Sequence, residues 1–171
     1  MPYPAVEPVR CPEMIQSWND LTFLHFRYRP EAVERLLPQP LEVDRFDGMA
    51  WVGIAPFRLR RLHSPWLPAL PLAFEFSGDQ LPHLCAASKR HWNRALDPGE
   101  FDHFLTARFR LFAVRRGRLV CARVEHPVWP LRHARVIGFD EDLTRAAGLP
   151  APDSSPVVHF SPGGVSRRLP V

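Results

Sequence analysis

The chain has 171 residues, of which 46% are hydrophobic and 23% charged, with a net charge of +4. That is one folded domain's worth of residues with enough apolar material for a core, and it excludes a disordered or low-complexity chain. No apolar run reaches membrane-spanning length and the first residues lack a signal-peptide core, so no membrane association and a cytoplasmic location are expected.

The cations are almost all arginine: Lys89 is the one lysine among 22 basic residues. Arg58/Arg60/Arg61, Arg115/Arg116/Arg118 and Arg167/Arg168 lie on separate segments rather than in one aromatic-interleaved patch, so no nucleic-acid partner is expected. Cys11, Cys85 and Cys121 are odd in number and form no CxxC pair. This argues against a disulfide framework or zinc cluster, and each reads as a small reduced hydrophobe.

In chain order, residues 1–13 read as an irregular arm. Leu21 to Tyr28, rich in aromatics, predicts a strand. Pro30 starts a short helix at its first position and Pro38 stops it after Leu36-Leu37. Leu41 to Arg45 and Met49 to Leu62 predict a hairpin about Phe46-Asp47-Gly48, since Asp-Gly suits the positive dihedrals of a tight turn. The apolar run that follows this turn and ends on Pro56-Phe57-Arg58 reads as a strand buried on both faces, with Trp51, Val52 and Ile54 in the core. Arg58 then places an obligatory cation at its end, which needs a carboxylate such as Glu75 or an anionic ligand.

Residues 63–72, with three prolines and Trp66, read as loop. From 77 to 97 no period is legible, and that segment is expected to be the least ordered internal one. Asp97-Pro98-Gly99-Glu100 has the pattern of a capping residue, a first-turn proline and an acid, and predicts a helix running to near Ala107. Phe109–Val114 and Leu119–Glu125 predict a second hairpin across Arg115-Arg116-Gly117-Arg118. Arg132 to Phe139 reads as a strand. Asp140-Glu141-Asp142 opens a short helix that Gly148 closes, and Val157 to Phe160 is a last strand. The sum is an α+β domain on an antiparallel sheet or partial β-barrel with two or three short helices.

The motifs Ser17-Trp18-Asn19-Asp20-Leu21, Phe46-Asp47-Gly48 through Trp51-Val52-Gly53 to Pro56-Phe57-Arg58, and Leu67 to Pro71 resemble the amino-terminal part of the uncharacterised bacterial YqjF-like family. Phe104 to Arg108, Val124 to Leu131, Ala146 to Pro150 and Val158 to Gly163 resemble its carboxy-terminal part, in the same order. The resemblance implies an acetoacetate-decarboxylase-like fold and brings no established reaction. It covers an amino-terminal block, 14–76, and a carboxy-terminal block, 98–171. Between them 77–97 is an atypical junction in place of a longer central region. Two explanations stand: a naturally shortened member, or a deletion or reading-frame error. Missing strands would leave an exposed edge, through which homo-oligomerisation is expected.

The candidate ligand-binding residues are Arg58, His126 and His159, walled by Trp51, Phe57 and Trp129. Converging in one pocket, they would suit a small apolar carboxylate or carbonyl compound. Each histidine alone reads as a hydrogen-bonded structural residue, and so does His25, which could also face such a cavity. Separations between His25, His126 and His159 show no metal-ligand spacing, so no metal site and no cofactor are expected. Two other readings compete: a non-enzymatic remnant or interaction module without a ligand, and a decarboxylase-like lyase. The lyase would need a desolvated lysine, for which Lys89-Arg90 is the sole pair.

Overall fold

Two long antiparallel strands form the spine of the molecule. The computed structural model describes residues 8–65, 99–138, 140 and 142–168, the last four by backbone alone. β1 (Met14–Tyr28) and β8 (Val157–Arg168) pair along almost their whole length, from Met14 opposite Arg168 to His25 opposite Val157. Each spine strand is longer than any one neighbour, so two shorter strands share its outer edge. Along β1 these are β4 (Arg58–His63), opposite the amino-terminal half, and β3 (Met49–Ile54), opposite the carboxy-terminal half. Along β8 they are β6 (Arg118–Glu125) and β7 (Arg132–His133). β2 (Arg45–Phe46) pairs with β3 and β5 (Arg110–Arg115) with β6, giving the order β2-β3-β1-β8-β6-β5 with β4 and β7 beside the path. Among the described residues this is an open antiparallel sheet, not a closed barrel. Among the described residues three short helices accompany it: α1 (Pro30–Glu34), α2 (Glu100–Thr106) and α3 (Leu143–Ala146).

Both hairpin turns use the expected residues. Asp47 and Gly48 have φ of 52° and 72°, and Arg116 and Gly117 have 51° and 75°. Two successive positive dihedrals are what a two-residue hairpin turn needs to match strand twist.

Several expectations are corrected. The single strand expected from Met49 to Leu62 is two strands, because Pro56 has no N–H to give a ladder. The break is satisfied from the other side, the Thr22 N–H donating to the Pro56 carbonyl at 3.0 Å. Residues 41–44 lie outside any strand, and β3 is half-buried: Ala50 is fully enclosed, Trp51, Val52 and Ile54 partly so, and Gly53 is exposed. Trp51→Ala is therefore expected to cost about 2 kcal/mol in urea denaturation, short of the ~3–5 kcal/mol of a fully buried aromatic. A cost above 4 kcal/mol would contradict this half-buried placement.

The strand expected to begin at Leu21 begins at Met14, and the one expected to end at Phe160 runs on through Ser161-Pro162-Gly163-Gly164. By contrast the strand expected over 132–139 keeps only Arg132 and His133. α2 starts at Glu100, where the Asp102 carboxylate accepts the Gly99 N–H at 3.1 Å, and α3 starts at Leu143. Within the expected arm, Val9 is buried and its N–H donates to Glu125 at 2.7 Å. Cys11 and Cys121 are exposed thiols, not buried hydrophobes. The expectations for 66–72, Glu75, 77–97, Cys85 and Lys89 lie outside the described residues.

Opposite faces of β1 make two cores. Leu24, Phe26 and Tyr28 pack with Leu149, and Leu21 and Phe23 pack with Trp129 and Leu131. The second face carries the candidate site.

Candidate functional site

Residues directly opposite each other in a ladder share a face, as do alternate residues along a strand. His159 is opposite Phe23 and His133, Gly53 is opposite His25, and Trp51 is opposite Arg27. His25, His133, His159 and Trp51 therefore lie on the Leu21–Phe23 face, and α2 lies across it.

Three histidines hold the region of α2 by three different atoms. His159 Nε2 stands 3.1 Å from Asp102 Oδ1. The His25 ring bonds the backbone of Leu105. His126 Nε2 stands 3.2 Å from the Arg108 carbonyl, just past the helix. Aromatic contacts complete the seal: Phe101 meets Trp51 and Phe46, each at 4.8 Å, and Phe104 meets Phe46 at 5.3 Å. The helix is too short to stand alone and exists by this packing.

His159 is 1% exposed. Burial pushes its pKa down, and His133 pushes the same way; Asp102 opposes them without reversing the shift. The ring is thus neutral near neutral pH. Facing a carboxylate, Nε2 carries the proton and donates it, which leaves Nδ1 a bare lone pair. That Nδ1 is buried and has no hydrogen-bond partner among the described residues. Asp102 is itself fixed, its second oxygen holding the Gly99 N–H.

His25 repeats the arrangement. It is 6% exposed, and its pKa is lowered to about 4, chiefly by burial and further by His159 and Arg108. Its Nδ1 is also buried and unpartnered, so Nε2 makes the bond to Leu105 and Nδ1 is a second bare acceptor. Gly53 makes room for the ring, since a Cβ there would lie 2.7 Å from His25 Cδ2. Buried polar groups are nearly always paired, and two bare acceptors that electrostatically sense each other are a marked exception.

His126 is the opposite case. Its Nδ1 and Nε2 stand 2.8 and 3.2 Å from the carbonyls of Pro127 and Arg108, and it stacks between Phe109 and Trp129 at 4.6 Å from each. Burial lowers its pKa, although both carbonyls favour the charged form. Both of its nitrogens are thus taken up by backbone carbonyls. Phe57 and Trp129 continue this column through Trp18, which stacks on them at 4.5 and 6.0 Å.

Arg58 stands apart. Its side chain is 58% exposed and pairs with Asp20 at 3.7 Å, and it starts β4 instead of ending β3. The described contacts therefore group Phe57, Trp129 and His126 in one column and His159 with His25 and Asp102, and they leave Arg58 out of both. A cleft of 450 Å³ lined by Glu34, Gln39, Leu41, Glu42, Val43 and Arg45 is lined by none of these residues. Among the described residues no group of three or more His, Cys, Asp or Glu is arranged to hold a metal ion. Asp102 escapes sequence reasoning because an acid in a first helical turn reads as a capping residue. The alternation Leu21, Phe23, His25 does carry the signal that His25 faces inward.

Asp102→Asn keeps the shape but removes the carboxylate. The His159 pKa is expected to fall further and the fold to lose about 1.5–3 kcal/mol. Histidine NMR titration and urea denaturation measure the two effects, and an unchanged or raised pKa would break the assigned pair.

Two blocks of the chain, residues 15–78 and 84–164, match the family DUF2071, described as an uncharacterized conserved protein. The uncharacterized protein YqjF of Bacillus subtilis (strain 168) is 24% identical over 210 residues, covering 86% of this chain and 87% of that protein. An aligned span of 210 positions exceeds the 171 residues present here, so the alignment carries gaps on this side. No solved structure matches the chain.

Proposed function

The chain belongs to the DUF2071 family, and on that premise we propose that the α2-covered face binds a small apolar compound through a hydroxyl group or an enolisable carbonyl. His159 is the proton acceptor in this reading. One observation carries it: two buried imidazoles, each with one nitrogen fixed by the protein, hold bare Nδ1 lone pairs on the same face. Bare acceptors ask for a donor. An O–H fits, and the Trp51 indole N–H, also buried and unpartnered, offers a donor on that face for the ligand's own lone pair. An anionic carboxylate fits poorly, because it would meet two lone pairs beside Asp102 with no guanidinium from Arg58. The ligand class is thus narrowed to the carbonyl or hydroxyl compound.

The dyad's chemistry is general-base. A proton moves from the ligand O–H, or from the carbon next to its carbonyl, to His159 Nδ1, and Asp102 stabilises the resulting imidazolium. His25 stays neutral and holds the ligand. Schiff-base decarboxylation, the chemistry suggested by the resemblance to an acetoacetate-decarboxylase-like fold, would need Lys89, which lies outside the described residues.

Cyclohexanol and cyclohexanecarboxylate test the reading, having one apolar body and opposite polar heads. In NMR titrations of the full chain, cyclohexanol is expected to shift the His159 and His25 ring signals and the carboxylate to leave them. His159→Gln should abolish the response. No response to cyclohexanol, or an equal response to both, would refute the site.

A further inference from the structure

We propose that the outer edge of β5 accepts an extended, acidic strand from another protein. β5 ends the sheet order, and among the described residues no strand pairs with its outer edge. Residues 110–118 are all exposed, on both faces of the hairpin. They include three large apolar side chains: Leu111, Phe112 and Val114 are 43%, 46% and 57% exposed. Phe112 and Val114 share a face with Cys121 and Leu119 across the ladder, an apolar patch flanked by Arg110 and Arg123 at one end and the arginine turn at the other. Sheet edges of this length and apolarity are normally blunted or covered.

Charge selects the occupant. From His103 to Val124 there are six arginines and no carboxylate. Arg110, Arg115, Arg116 and Arg118 make no ion pair among the described residues. A second copy is disfavoured: it brings the same arginines and no carboxylate to this edge, and like charges brought together across a ladder destabilise it. An extended strand with an apolar centre and carboxylates toward both ends satisfies every requirement. Its backbone completes the unpaired N–H and C=O row, its apolar residues cover Phe112 and Val114, and its carboxylates meet the arginines in bidentate pairs. The ligand site under α2 plays no part in this inference.

The test uses the full chain and two capped peptides, one with central valines flanked at both ends by glutamates and one with lysines in place of the glutamates. The glutamate peptide is expected to bind, more weakly as salt rises, and to protect the amides of 110–115 from hydrogen exchange. The double variant Arg110→Glu/Arg115→Glu changes only exposed side chains. It should bind the glutamate peptide at least roughly tenfold more weakly and take the lysine peptide instead. Equal binding of both peptides, binding without protection of 110–115, or an unchanged preference in the double variant would overturn the proposal. So would self-association through β5 in sedimentation, or response only to phosphatidylglycerol vesicles.

Discussion

Gly163→Ala is expected to destabilise the protein by about 3–5 kcal/mol, the largest loss from any single added methyl group. Gly163 has a φ of 106°, a conformation that L side chains rarely adopt. The obstruction is also backbone. An added Cβ would lie 1.8 Å from the Trp18 carbonyl oxygen and 2.8 Å from Asn19 Cα. Neither can step aside, because Trp18 and Asn19 are in register with Gly164 and Gly163 in the spine ladder. The approach is this close where β1 departs from regular geometry: Asp20, with φ of 52°, is next in line. Restoring clearance would push β8 away from β1 and carry His159 out of reach of Asp102. Gly138→Ala is the control, since nothing lies within 4 Å of its Cβ position and its φ is not positive; it should change stability by less than about 0.5 kcal/mol. Urea denaturation followed by tryptophan fluorescence measures both, and a loss below 1 kcal/mol for Gly163→Ala would contradict the spine register.

Acid is expected to remove about 3 kcal/mol of stability through His25 alone. In the unfolded chain this histidine takes a proton near its ordinary value of 6.5; in the fold it does so only near 4. Between these values the unfolded state binds more protons than the native one, so stability falls as pH drops from about 6.5 to about 4 and levels off below. His126 and His159, also lowered, add to the loss in the same direction. Paired carboxylates destabilise at acid pH as well, so the diagnostic quantity is a difference between proteins. His25→Gln should flatten the wild-type slope in that window. Parallel curves for wild type and variant would mean that His25 is solvated and titrates normally.

How far the sequence carries the fold depends on whether a feature is local. Both hairpin turns were legible because Asp47-Gly48 and Arg116-Gly117 need only their own dihedrals. The Pro30 helix start is likewise local. The spine was not, because its extent is set by a partner strand: Ser161-Pro162-Gly163-Gly164 looks like a loop until β1 lies beside it. The same cause splits Met49–Leu62, whose two halves serve different stretches of β1. In the site, His159 was legible as a polar residue interrupting an apolar strand. Its pairing with Asp102 was not, since it depends on where α2 lands. Arg58 looked like a buried cation only while the apolar run before it looked fully buried. Half-burial of β3 and an exposed start to β4 remove that need, and Asp20 meets the charge.

The proposed ligand site stands on the buried Nδ1 of His159 being an unprotonated acceptor, with the ring's proton on Nε2 against Asp102. Nitrogen-15 NMR of the histidine rings at neutral pH tests it most directly. The expected result is a neutral His159 with its proton on Nε2, a pyridine-like Nδ1 signal, and movement of that signal when cyclohexanol is added. A proton on Nδ1, or a charged ring at neutral pH, would contradict it.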